Sequence, residues 1–410
     1  MRRSLVALVG LWAAACTGDG DSPVGGDLLP GGVLGGDLEI LTVSEFERAE
    51  DVSIFPADRG DADRLVMAHQ WPDPGGFEAR PLMRFSLVAA DSFPEDSEIV
   101  EASLELHFQA VEEPVDLAVH RVTAAWTEEA ATWERRDLGA AWTQAGGDFD
   151  PLPLAEFTIT GRGDQDSVTV DSISVPLPVD LVAGWLAGDE GNEGVVLIQQ
   201  TPGAQVEFVS RGVASINPNG PRIEFVIQLT GPGLPAAEIS ILALEDTFLA
   251  DGGATPAGDL IVAGGAEVRR LVLVPDLESL PDGTVVAQAQ LVLPVEGVSL
   301  PGDSIALVAG RVASEFLGEK TILAAPAGSD FFGLAPVVAD SLPIDSLVFE
   351  SPFLTRVIRT WLRTPESNRG LFVILVNEAA EFGAVGFPGP GAPTERRPHL
   401  RLLVLPPERS

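Results

Sequence analysis

One series of short motifs runs twice along the chain, in the same order both times. Phe93-Pro94-Glu95-Asp96 ahead of the 99–104 segment is matched by Leu280-Pro281-Asp282-Gly283 ahead of 285–291. Leu117-Ala118-Val119-His120-Arg121-Val122 is matched by Leu307-Val308-Ala309-Gly310-Arg311-Val312. Leu181-Val182-Ala183-Gly184-Trp185-Leu186 is matched by Val357-Ile358-Arg359-Thr360-Trp361-Leu362. Each tryptophan is followed at one distance by Asn-x-Gly, as Asn192-Glu193-Gly194 and Asn368-Arg369-Gly370. Each half closes on a Pro-led segment, 221–225 and 398–402. A single coincidence of this kind is cheap, but five in one order point to two copies of one folding unit. Gly231-Pro232-Gly233-Leu234-Pro235 reads as the seam. The expected division is therefore a first module at 38–230, a linker at 231–237, a second module at 238–406 and a tail at 407–410.

Within each copy the pattern is that of strands. Glu101-Ala102-Ser103-Leu104-Glu105-Leu106-His107-Phe108 alternates polar and apolar residues, as does Ala287-Gln288-Ala289-Gln290-Leu291-Val292-Leu293. Val195-Val196-Leu197-Ile198 and Leu371-Phe372-Val373-Ile374-Leu375-Val376 are short continuous apolar runs that suit strands covered on both faces. The 43 glycines and 33 prolines supply turns at short intervals. The exception is the segment around each repeated tryptophan, where Leu181, Val182, Trp185 and Leu186 share one helical face. The expected fold is all-β: two tandem jelly-roll-like β-sandwich domains, each with one short helix. Core packing is the favoured role for Trp185 and Trp361, and turn geometry for the Asn and Gly residues that follow them.

The N-terminus reads as an export signal. Arg2 and Arg3 precede an uncharged run from Leu5 to Ala15, too short to cross a bilayer core of about 30 Å as a helix. Ala13-Ala14-Ala15 then leads into Cys16, the single cysteine of the chain. This resembles the bacterial lipobox, with Ala13 where leucine is commonest. It implies a lipoprotein signal peptide at 1–15 and a lipidated Cys16. A Gly-, Asp- and Pro-rich stretch at 16–37 follows as a flexible, disordered tether. Thr17 stands where an aspartate would resemble an inner-membrane retention signal. The expected location is the outer membrane or cell surface, with a periplasm-facing placement as the alternative.

A formal net charge of −36 excludes phosphate-backbone binding as a main role, so no nucleic-acid partner is expected. It also disfavours adsorption to anionic membrane faces, leaving the N-terminal lipid as the membrane contact. With one cysteine, no intrachain disulfide can form.

On these motifs the first half resembles the DNRLRE domain family, related to carbohydrate-binding module family 96. Leu82-Met83-Arg84-Phe85-Ser86-Leu87 resembles the family's Leu-x-Arg-Phe-Asp-Leu strand, with Arg84 at the arginine. Trp126-Thr127-Glu128 with Thr132-Trp133 resembles its Trp-Ser/Thr-Glu-x-x-x-Thr-Trp motif, and Trp185 to Gly194 its Trp-Leu to Asn-x-Gly motif. The resemblance covers roughly 40–230. The second half is a degenerate copy: it carries Phe316 where Trp126 would fall, and no second tryptophan follows. The resemblance implies a sugar-binding or surface-attachment role without catalysis.

Sugar binding in β-sandwiches uses aromatic faces against pyranose rings. The first module offers Trp71, Trp126, Trp133 and Trp142. Trp71, in the polar Gln70-Trp71-Pro72-Asp73-Pro74-Gly75-Gly76 stretch, is the best candidate platform. Core packing is favoured for Trp126 and Trp133, and Trp142 stays open. The absence of tyrosine weakens the lectin reading. No cofactor is expected. A structural calcium is the one metal that suits the sequence, through Asp58, Asp61 and Asp63, although solvated turn carboxylates explain these as well. One cysteine and four scattered histidines give zinc no support.

The sequence lacks a Gly-x-Ser-x-Gly elbow, a phosphate loop, a dinucleotide fingerprint and a His-Glu-x-x-His helix, so no enzyme is expected. The leading expectation is a non-catalytic cell-envelope lipoprotein presenting a carbohydrate-binding-like module to a polysaccharide. The alternative is a structural or adhesive surface protein with protein partners. A polysaccharide-active enzyme ranks third. Accessible tryptophans favour the first, buried tryptophans the second.

Overall fold

The computed structural model describes residues 38–53, 59, 62, 64–71, 76–86, 97–109, 111, 113–160, 170–188, 191–212, 218–229, 236–252, 259–266, 268–300, 304–312, 331–378 and 382–405. The signal segment, Cys16, the tether, residues 231–235 of the expected linker and the 407–410 tail lie outside them.

The described chain is all-β with two short α-helices. In chain order the strands are β1 (Glu39–Val43), β2 (Phe46–Ser53), β3 (Arg64–Trp71), β4 (Phe77–Phe85), β5 (Ser97–Gln109), β6 (Val115–Arg121), β7 (Arg135–Asp137), β8 (Ala140–Ala141), β9 (Ala155–Ile159) and β10 (Val170–Pro176). After helix α1 (Val179–Ala187) come β11 (Val195–Gln199), β12 (Ala204–Val209), β13 (Arg222–Leu229) and the long β14 (Ala236–Asp251). Then follow β15 (Leu260–Gly264), β16 (Arg269–Pro275), β17 (Val285–Pro294), β18 (Gly297–Ser299), β19 (Ser304–Arg311), β20 (Phe331–Val338) and β21 (Ser346–Glu350). Helix α2 (Pro352–Arg363) leads to β22 (Leu371–Leu375), β23 (Ala384–Pro388) and β24 (His399–Leu405).

Two sandwiches result, and their layers correspond strand for strand. In the first, β10, β5, β13 and the N-terminal half of β14 make one layer. The C-terminal half of β14, then β4, β11, β6 and β9, with β3 and β12 alongside, make the other. The long strand β14 runs through both layers with a bulge between Ala243 and Glu245, so hydrogen bonds join ten strands in one sheet. In the second sandwich β21, β17, β24 and β1 form the four-stranded layer. Opposite it lies an eight-stranded sheet of β2, β16, β22, β19 and β20, with β15, β23 and β18. Alternation explains the burial. Leu104 and Leu106 of β5 and Ile223 and Phe225 of β13 face one core, while Leu291 and Leu293 of β17 and Leu400 and Leu402 of β24 face the other.

The helices fall where the repeated tryptophans place them, one per module. Helix α2 starts on the Ser351 hydroxyl, which accepts from the Leu354 amide at 3.0 Å, with Pro352 in the first turn. Helix α1 stops at Gly188, whose left-handed φ of 71° lets its N–H reach back to the last turn. Trp185 and Trp361 are both buried in the cores.

Sheet pairing divides the chain differently from the cut at 231–237. The strands β1 and β2, expected in the first module, pair with β24 and β16 of the second. Residues 236–237, expected in the linker, open β14, and all of β14 pairs within the first sandwich. The first sandwich is thus the contiguous stretch 64–251. The second is built from 39–53 and 260–405, with the first inserted between its second and third strands. Alternation marks a segment as a strand and leaves its neighbour undetermined, which is why the pattern alone misassigned these three elements.

Arg59, in the connection from β2 to β3, seals the joint. Its guanidinium lies 4.8 Å from the Phe248 ring and 5.0 Å from the Phe382 ring, and it donates to the Ala266 carbonyl. Phe77 stacks on Phe382 at 4.0 Å. Full burial pulls the Arg59 pKa down to about 10, against a smaller opposing pull from Glu378.

Candidate functional site: the tryptophan loop

The loop that leaves β6 folds back over the outer face of β4, β11 and β14. There it builds a second, smaller core from Leu82, Val122, Trp126, Trp142, Val196 and Leu249. Trp126 is 2% exposed and donates its indole N–H to the Glu193 carbonyl at 2.9 Å. Trp142 is 6% exposed and donates to the Thr132 carbonyl at 2.8 Å. Trp133 is half-buried, with the Arg80 guanidinium 4.5 Å from its ring, and Arg80 also donates to the Gly146 carbonyl at 2.9 Å. Arg84 stands 5.3 Å from the Trp126 ring and is ion-paired with Glu193 and Glu245.

Two of the four tryptophans named as platform candidates are enclosed. Trp126 and Trp142 are buried and hydrogen-bonded, so neither presents a face to a pyranose ring. Trp133 keeps partial exposure, with Arg80 on its ring. Trp71 closes β3 opposite Phe77, and its side chain lies outside the described residues.

The Asn-x-Gly motif does the same work in both modules. The Asn192 side-chain amide donates to the Phe85 carbonyl at 2.7 Å, and that of Asn368 to the Pro275 carbonyl at 2.9 Å. Gly194 (φ 83°) and Gly370 (φ 93°) lie against the Met83 and Leu273 carbonyl oxygens, where a Cβ would collide. Each glycine carbonyl accepts at 3.0 Å from the residue after the neighbouring strand, Val122 or Val312. Arg84, Trp185, Asn192, Gly194, Trp361, Asn368 and Gly370 are therefore all structural parts of the frame.

A buried ionic network beside the loop has no counterpart in the sequence expectations. Asp246 of β14 is 0% exposed. It accepts from the Ser210 hydroxyl at 2.9 Å and the Arg211 amide at 2.7 Å. Glu128, from the tryptophan loop, accepts from Arg211 at 2.7 Å and from the Asp246 amide at 3.1 Å. Burial pushes the Asp246 carboxyl up to about 6 despite these donors, with Glu128 adding to the rise and Arg211 opposing it. The partners lie 35 to 118 residues apart in sequence, so spacing gives no sign of them.

Asp58, Asp61 and Asp63 lie outside the described residues. Among the described residues, no group of three or more His, Cys, Asp or Glu side chains is gathered as for a metal. Asp148 spends both carboxylate oxygens on the amides of Thr143 and Gln144, at 2.9 Å each, as a turn-former. Among the described residues, no helix is long and apolar enough to cross a membrane.

The second module carries a groove of about 810 Å³ at the C-terminal end of α2. Leu280, Asp282, Val286, Arg359, Trp361 and Arg363 are among its lining residues. Arg359 is held in place by the Val286 and Ala287 carbonyls. No family model, no curated protein and no solved structure matches this chain.

Proposed function

We propose that this chain is a non-catalytic cell-envelope lipoprotein whose two interlocked sandwiches serve as a structural or adhesive scaffold toward protein partners. The burial of Trp126, Trp142, Trp185 and Trp361 carries this reading over a tryptophan-lined sugar site. The buried Arg59 contacts between the modules and the Trp loop's use as a cover for the sheet fit a building block better than an open receptor. Lipid on Cys16 and placement at the outer membrane or cell surface belong to the same proposal, on the strength of the N-terminal motif. Collisional quenching of tryptophan fluorescence tests it. Acrylamide and iodide should reach few of the tryptophans after the signal segment, and Trp133→Phe, at the half-buried ring, should lower the accessible fraction while substitutions at the buried rings do not. Quenching of most of the emission by iodide in the native state would sink the scaffold reading.

The groove beside α2 supports a second reading, a carbohydrate-binding-like module of the DNRLRE type. Its size falls in the range of about 300–1,000 Å³ usual for small-ligand sites. On that reading the ligand site lies in the second module, away from the tryptophan loop.

A further inference from the structure

Two strands occupy two equivalent places in this chain. The C-terminal half of β14 lies beside β4, and β2 lies beside β16. Met83 and Leu273 are equivalent, because each lies two residues before the carbonyl that receives Asn192 or Asn368. Asp246 stands across from Met83, and Ala49 stands across from Leu273. Sequence order alone would give the opposite distribution, with β2 in the first module and β14 in the second.

The surroundings discriminate between these two residues. The strands β12 and β23 pair through Val209 with Arg64 and through Pro388 with Leu260, the first residues of β3 and β15. The next two residues are Ser210-Arg211 in the first module and Gly389-Pro390 in the second. Ser210 and Arg211 supply the hydroxyl and amide donors that Asp246 accepts. A glycine followed by a proline has neither a side-chain donor nor a second N–H. An Asp246 placed opposite Leu273 would lose both donors in an apolar core, and Ala49 opposite Met83 would leave both donors without an acceptor. Ion pairs add to the choice on the other side, where Asp51 of β2 meets Arg269 at 3.1 Å and Glu45 meets Arg397 at 3.3 Å.

We propose that the Asp246–Ser210–Arg211–Glu128 network is a strand selector: it holds β14 beside β4, bars it from the second module, and so reserves the place beside β16 for the N-terminal strand. Asp246 and Ser210 are positioning residues here, and the charges facing Asp246 are Arg211 and Glu128. Specificity by penalising the wrong occupant is a recognised use of buried polar groups.

Cysteine cross-linking in the full chain, with Cys16→Ser so that only introduced thiols oxidise, tests the proposal. Thr42 pairs with Arg401, and in the alternative arrangement it would take the place of Ser240 opposite Glu224. In the otherwise unaltered chain, Thr42→Cys should cross-link with Arg401→Cys and not with Glu224→Cys. Adding Asp246→Ala or Ser210→Ala should raise the Thr42→Cys/Glu224→Cys product at least fivefold, within one chain or between two. A structural role without selection would lower stability and leave the cross-link where it was. Asp246→Asn, close in shape, carries the same measurement should the alanine variants fail to fold. An unchanged pattern in the variants that fold, Asp246→Asn included, overturns the proposal.

Discussion

Trp126 donates its indole N–H to the carbonyl of Glu193, tying the tryptophan loop to the Asn-x-Gly turn on the neighbouring strand. The bond joins two motifs that lie 67 residues apart, and it explains why the loop is a cover for the sheet. Removing the ring should therefore cost stability before anything else. Trp126→Ala is expected to destabilise the first sandwich by about 3–5 kcal/mol, as large-to-small core changes do. Trp126→Phe, which leaves the carbonyl unpaired, is expected to cost about 1–3 kcal/mol. Urea denaturation followed by far-UV circular dichroism measures both.

Asp246 gives the protein a pH dependence of a definite sign. Its folded pKa is pushed up to about 6 from an ordinary value of 3.8, so the folded state holds its proton more tightly than the unfolded chain. The contribution to stability rises as pH falls through about 6 and is complete near the unfolded value. Above about 6 it is absent, because the ionised buried carboxylate then carries its desolvation cost. The swing is on the order of 2–3 kcal/mol. At Asp148 burial pulls the carboxyl up, but the Thr143 and Gln144 donors outweigh it and hold the group below its ordinary range, so it works in the opposite sense at lower pH. The observable is thus the difference between the parent chain and Asp246→Asn from pH 8 to pH 4. A difference that is flat across that range contradicts the assignment.

The insertion architecture predicts where the chain can be cut. Residues 64–252 contain every strand of the first sandwich and should fold alone, with one cooperative unfolding transition. Residues 64–230 lack β14 and so leave the edges of β4 and β13 unpaired. That fragment is expected to aggregate. Expression of both fragments, followed by size-exclusion chromatography and thermal unfolding, decides the matter.

Much of this fold could be read before any coordinates. The helices at Trp185 and Trp361, the strand character of each half and the duplication all followed from periodicity and repeated motifs, because local spacing determines them. The equivalence even extends to single atoms at Asn192 and Asn368. Module membership of β1, β2 and β14 did not follow, since a strand's pattern specifies its buried face and leaves its neighbour open. The tryptophan loop was half legible. Core packing was the favoured reading for Trp126, yet nothing in its neighbourhood reveals a separate small core on the outer face of the sheet. The Asp246 network was invisible, because its four members come from three distant segments and none belongs to a repeated motif.

The pairing of β1 with β24 also has a mechanical meaning. The first and last strands of the described chain are side by side, matched over five residues from Glu39 and Val404 to Val43 and Leu400. A pull on the N-terminal end is met first by that five-rung ladder and passes into the second sandwich. The first sandwich, hung from the second by its two connections, stays out of the initial load path. A protein held by its N-terminus would thus bear tension with one half of its mass and leave the other half undeformed.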